Sequence, residues 1–200
     1  NLSLDLFDPH SDAFHPRHIF FYETIEFIPE KANQAFSHLT SRLAKGQQHA
    51  GIGPHSPYSV SPELLILCCE YATLFNMPLS IHVSETWEEV QFFMKGNGPI
   101  FDKKQLNNSL SDHWQCPKIS PIKYLDSIGV LKYRPFLVHV GCLCDGDIEI
   151  IRKNCCTVIF CPGSHRYFKR GKYPLLDFLK AGIPVGIGTD SLASHDTLDI

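Results

Sequence analysis

Apolar residues along this chain recur with two different periods. Short runs of strand length occupy residues 18–27, 50–54, 79–83, 136–140, 156–161 and 184–188. Between them, apolar positions return every three or four residues, the spacing of one helix face. Residues 29–45 carry Ala32, Ala35, Phe36, Leu39 and Leu43 at that spacing and stop before Gly46. Ser61-Pro62-Glu63 opens a helix over 61–75 with a hydroxyl cap, a proline in the first turn and an acid beside it. Residues 86–94, 121–128, 145–153 and 174–181 complete the helical set, and Gly129 and Gly182 supply stops. Strand-then-helix order, repeated, implies parallel strands joined by helical crossovers, an α/β fold. Residues 95–120, rich in Gly, Asn, Ser and Pro, read as a long excursion over one end of the sheet. No linker or composition break divides the chain, so residues 1–200 read as one domain.

Polar residues mark where the strands end. Gly51-Ile52-Gly53-Pro54 leads to His55, and Leu79-Ser80-Ile81 leads to His82, followed by Val83-Ser84-Glu85. Leu137-Val138 leads to His139, and Val185-Gly186-Ile187-Gly188-Thr189 leads to Asp190. Residues two apart in a strand share a face. Gly51 and Gly53 then lie on the side of His55, Ser80 on that of His82, and Gly186 and Gly188 on that of Asp190. These small residues predict a narrow interior with room for imidazoles and a carboxylate at one rim. Ile52, Ile81, Val138 and Ile187 are expected to point outward against helices. One polar residue at a strand end is ordinary. Four at the same end of successive parallel strands lie where such folds build active sites.

Composition narrows the class. The 200 residues hold 18 Lys+Arg against 21 Asp+Glu, a formal net charge of -3, which argues against electrostatic capture of nucleic acid. The longest apolar stretch, residues 64–69, is far short of the roughly 18 residues that cross a bilayer. Eight cysteines contain no C-x-x-C pair and several sit inside apolar runs, so they read as reduced, buried residues of a cytoplasmic protein.

Neutral imidazoles with a carboxylate suit Zn²⁺ or a related divalent ion, which lowers the pKa of a bound water to about 7. A further carboxylate must then move protons between nucleophile and leaving group. Glu85, three residues beyond His82, is the candidate. Regular strand geometry would turn it away from His82, so the chain must leave the extended conformation near Ser84.

At this point the motifs resemble a known family. Gly53-Pro54-His55-Ser56-Pro57-Tyr58, His82-Val83-Ser84-Glu85-Thr86, the strand ending at His139, and Gly188-Thr189-Asp190-Ser191-Leu192-Ala193-Ser194 are similar to the amidohydrolase superfamily. The closest branch is that of the deaminases and chlorohydrolases, including adenosine-type and aminodeoxyfutalosine deaminases. The resemblance implies a (β/α)8 TIM-type barrel with one divalent ion, Zn²⁺ first and Fe²⁺ as the other candidate. It assigns His82 and Asp190 as metal ligands, Asp190 also as proton acceptor, and Glu85 as proton shuttle to a ring nitrogen and leaving ammonia. His139 would orient or polarise the attacking water. His55 and Ser194 match substrate-contacting positions. Residues 161–168 fall where the family has a Pro-x-Ser-Asn-like loop, and Arg166 there is a candidate for an anionic substrate group.

The family's His-x-His pair of metal ligands is absent from these 200 residues. With no initial Met and a stop at Asp199-Ile200, the chain reads as part of a barrel, about strands three to eight. The implied function is a metal-dependent hydrolytic deaminase acting on a purine nucleoside-like or related aromatic amidine. Its partner would be a small molecule, with neither nucleic acid nor membrane, and a homodimer is compatible. Alternatives are another amidohydrolase (a cyclic amide hydrolase or a chlorohydrolase), a non-catalytic barrel fragment, and a structural zinc site of His139, Cys142 and Cys144, with Cys161 as an optional further ligand. Trp87, Phe92 and Phe93 are expected to pack a helix onto the barrel, and His10, His15, His38, His49 and His113 to lie on the surface.

Overall fold

A computed structural model describes residues 19–46, 49–111 and 113–194. His10, His15 and His18, and the eighth helix expected at Asp199-Ile200, lie outside the described residues; His38, His49 and His113 are exposed. Six strands follow in order: β1 (Phe20–Thr24), β2 (Ala50–Pro54), β3 (Ser80–Val83), β4 (Phe136–His139), β5 (Thr157–Phe160) and β6 (Val185–Ile187). All pair in parallel, each with its sequence neighbour, in two ladders, β1-β2 and β3-β4-β5-β6. A bridge between Ile52 and Leu79 joins the ladders. Each expected strand is present, trimmed by a residue or more at its ends except β2.

Helices fill the intervals: α1 (Ala32–Ala44), after a 3-10 turn at Pro29–Lys31, then α2 (Pro62–Leu74), α3 (Trp87–Lys95), α4 (Pro99–Leu106), α5 (Pro121–Ser127), α6 (Asp147–Lys153), α7 (Pro162–Tyr167) and α8 (Leu175–Lys180). Ser61 caps α2 as its sequence predicts, its Oγ accepting from the Leu64 N–H at 3.3 Å. Gly129 and Gly182, at φ 78° and 71°, turn the chain out of α5 and α8. Two helices contradict the sequence expectation of loops. Both α4, inside the excursion, and α7, after β5, begin at a proline, whose fixed φ suits a first turn.

Curvature follows from one contact. Phe21 of β1 and Phe136 of β4 meet edge to face with ring centroids 6.4 Å apart. Three strand spacings in a flat sheet span roughly 14 Å. The six strands therefore curl into an arc, with Phe21 and Phe136 inside it.

The register corrects the expected interior in two ways. His82 pairs with Val138, Val138 with Ile159, and Ile159 with Gly186, so Val138 lies on the inner face with His82. At Gly51 and Gly186 the room goes to large apolar neighbours and not to imidazoles. A Cβ on Gly51 would come within 2.7 Å of the Phe21 ring, and one on Gly186 within 2.8 Å of Ile159 Cδ1. Ile52 and Ile81 are buried on the outer side, in a core with Leu64, Leu65, Leu125, Leu137 and Phe178. Ile187, on β6 at the end of the arc, is 57% exposed.

A second apolar cluster sits under the excursion. Phe27, Phe92 and Phe93 are buried there, and Trp114 stacks on Phe92 at 4.6 Å. Phe92 and Phe93 thus anchor the excursion to α3. Trp87 corrects its expectation, being 60% exposed.

Candidate active site

The strand ends bring the predicted side chains to one rim, and backbone strain does part of the aiming. In β4, His139 pairs with Val83, so regular alternation would send its side chain outward with Ile81 and Leu137. His139 instead adopts φ 73° and Val140 φ 49°, and the His139 ring stacks on His82 with centroids 5.4 Å apart. Ser84 has φ 50°, the departure from extended backbone that Glu85 requires, and Asp190 has φ 63°. Left-handed non-glycine residues cost free energy and collect at functional sites.

Two clusters of potential ligand atoms result, each with its atoms within 4.8 Å of one another. One is Glu85, His139 and Asp190; the other is Glu23, His55 and His82. His82 and Asp190, the expected ligand pair, thus belong to adjoining clusters that meet at the His82–His139 ring contact. Sequence reasoning passed over Glu23. The β1–β2 register pairs Glu23 with Gly53 and so places it on the face that His55 continues.

The donor set fits a divalent ion. The carbonyl of His55 accepts from both the backbone N–H and the Nδ1 of His82, each at 2.9 Å. A carbonyl can only accept, so Nδ1 is the donor and Nε2 is the ring nitrogen left to meet a metal. Burial lowers the pKa of His139 to about 4, against the opposing charge of Glu85. His55 is lowered by burial and by His82. Both are therefore neutral near pH 7. Burial pushes Asp190 up, but the nearby Ser164 hydroxyl, the Ser191 N–H at 2.8 Å, His139 and Ser194 outweigh it and hold the carboxyl below its ordinary value.

Glu85 is fixed through its backbone and its side chain. Glu89 is buried at the third position of α3, and its two oxygens accept the N–H groups of Ser84 and Glu85, each at 3.0 Å. Burial pushes the Glu89 carboxyl up to about 8, against the lowering effect of those two donors. On the other side, Arg170 Nη2 donates to Glu85 Oε1 at 2.7 Å, and His139 Nε2 lies 3.4 Å from the same oxygen. Beside Glu85 opens a cavity of about 380 Å³ lined by Trp87, Glu88, Cys142, Phe168 and Arg170.

The remaining expected residues are placed as follows. His55 Nδ1 lies 2.6 Å from Ser59 Oγ, and its ring is 5.2 Å from His82. Ser194 is buried, with its hydroxyl on the Ser191 carbonyl at 3.1 Å. Arg166 is exposed on α7, and the cation that reaches the site is Arg170. Among the described residues no cysteine joins a potential metal cluster, and burial raises Cys142 to about 12 and Cys161 to about 11. No helix is long and apolar enough to cross a membrane among the described residues.

The profile of the Amidohydrolase family matches residues 22–200. Aminodeoxyfutalosine deaminase of Deinococcus radiodurans is 34% identical across 90% of this chain and 46% of its own length. Among solved structures, Helicobacter pylori aminofutalosine deaminase in complex with methylthio-coformycin superposes with a TM-score of 0.74. Its identity is 22%, over 90% of this chain and 45% of that one. An adenosine deaminase from Xanthomonas campestris with bound zinc gives 0.64, also at 22% identity, over 90% of this chain and 38% of that one. These superpositions establish the fold as a TIM-type barrel. The chain spans less than half the length of the curated relatives it matches.

Proposed function

This chain belongs to the amidohydrolase family, and from that premise we propose that it carries the proton-transfer centre of a metal-dependent hydrolytic deaminase. The substrate would be an adenine nucleoside or a related aromatic amidine, and the product ammonia. The observation that carries the reading is the convergence of Glu85, His139 and Asp190, from three separate strand ends, within 4.8 Å of one another.

His82 and Asp190 would hold the ion, with the family's remaining ligands supplied from outside these residues. A divalent cation there, Zn²⁺ by preference for imidazole and carboxylate, supplies Lewis-acid charge and makes water nucleophilic near neutral pH. Asp190 takes the proton released as water adds to the amino-bearing ring carbon. Glu85 gives a proton to the adjacent ring nitrogen, takes the hydroxyl proton of the tetrahedral centre as its carbonyl forms, and passes it to the amino group, which leaves as ammonia. The proton held by Asp190 then restores Glu85. His139, neutral and buried, orients the attacking water by hydrogen bonding. His55 and Ser194 lie at the same rim, where they would meet the substrate.

Incubation of the whole metal-loaded protein with adenine nucleosides, with ammonia as the readout, tests the reading. Glu85→Gln should lower kcat by about 10²–10⁴-fold while bound metal stays constant. Chloride release from a chloroazine, or ring opening of a cyclic amide, in place of ammonia would move the enzyme to another branch of the family.

A further inference from the structure

Glu85 must change protonation during the reaction, so what fixes its carboxylate matters as much as its identity. Arg170 reaches it from 85 residues away, across the mouth of the arc, at 2.7 Å. The side chains are 13% and 22% exposed, so the pair is largely removed from water, where charge-assisted hydrogen bonds hold geometry best. An exposed surface pair would count for little.

The loop carrying Arg170 is itself braced. Arg170 N–H donates to the His165 carbonyl at 3.2 Å, and His165 Nε2 donates to the Gly171 carbonyl at 2.8 Å. Tyr173 Oη donates to the carbonyl of His139 at 2.6 Å, and its ring stacks on Phe160 at 3.8 Å. The guanidinium lies 4.5 Å over the Phe168 ring. Arg170 is therefore presented to Glu85 by a loop tied to the same strand end that carries His139.

We propose that Arg170 is the positioning residue for Glu85, holding its Oε1 and leaving Oε2 to carry protons. Both groups that approach the carboxylate do so at Oε1, Arg170 Nη2 at 2.7 Å and His139 Nε2 at 3.4 Å. Arg170 acts through Glu85 by the single Nη2–Oε1 contact, with its guanidinium steadied over the Phe168 ring where a flexible ammonium would lack that planar support. The inference rests on the reading of Glu85 as proton shuttle.

Arg170→Gln, Arg170→Lys, Glu85→Gln and the Arg170→Gln/Glu85→Gln double variant test it by two readouts. In urea unfolding of the whole protein, the loss caused by Arg170→Gln should be smaller by about fivefold or more in the Glu85→Gln background. In ammonia release, Arg170→Gln should lower kcat about tenfold or more with KM within about threefold, and Arg170→Lys should recover part of kcat. Additive unfolding losses, or wild-type kcat in Arg170→Gln, would overturn the assignment. If the wild-type protein releases no ammonia from any adenine nucleoside, the deaminase reading fails. The unfolding cycle then decides alone whether Arg170 holds Glu85.

Discussion

Ser84, His139 and Asp190 each spend backbone strain to aim a site group inward, Ser84 by redirecting Glu85. Such strain persists only where surrounding contacts over-determine it. At Ser84 the contact is Glu89, whose two buried carboxyl oxygens accept two successive N–H groups of the turn. A cap residue at this position ordinarily reaches back to the helix cap itself, here Thr86. Glu89 reaches past it and so controls where Glu85 begins. Glu89→Gln sets an amide NH₂ against one of those N–H groups and leaves a buried donor unpaired. The expected cost is about 1–3 kcal/mol of stability in urea unfolding, together with lower kcat. Unchanged stability and turnover would show that the turn holds without the carboxyl group.

At the scale of elements, the strand ends supply the site while the excursion after β3 is fastened by its own small core. Lys104 of α4 is buried there, with Nζ 3.7 Å above the Phe27 ring. Burial lowers its pKa from 10.5 to about 8, with Glu26 opposing. Between those values the unfolded chain binds more protons than the folded one, so stability rises with pH through that window and is lowest below it. Relative to Lys104→Met, the wild-type protein should gain at most about 3 kcal/mol between pH 8 and 10.5, measured by urea unfolding at several pH values. A flat difference would mean that the ammonium is well solvated. The helix α7 carries a related lesson, since residues placed in a loop by their motif form a short helix that exposes Arg166 and delivers Arg170.

For the molecule as a whole, the decisive property is that two ligand clusters share one rim. Binding of an ion by the folded state alone stabilises it by mass action, about 2.7 kcal/mol at a free concentration of 100 times Kd. Zn²⁺ should therefore raise Tm and a chelator should reverse the rise. His82→Asn and Asp190→Asn should each shrink it. Cys142→Ser and Cys144→Ser should leave it intact, because no cysteine among the described residues joins either cluster. Loss of the Tm shift in the cysteine variants would instead support a thiolate site.

The alternation of apolar runs and helical faces determined the parallel α/β order, because each period follows from local backbone geometry. Local chemistry also determined the helix start at Ser61 and the stops at Gly129 and Gly182. The motifs at His55, His82, His139 and Asp190 marked one rim, and the need for a turn at Ser84 followed from counting residues between His82 and Glu85. Tertiary structure alone decided the rest. Whether His139 faces in or out depends on φ values of 73° and 49° at successive residues, which neighbouring strands impose and alternation contradicts. Glu23 and Arg170 join the site from distant parts of the chain, and only the curl of the sheet and the path of one loop bring them there. Side-chain period is a property of a few adjacent residues, whereas convergence is a property of the whole arc.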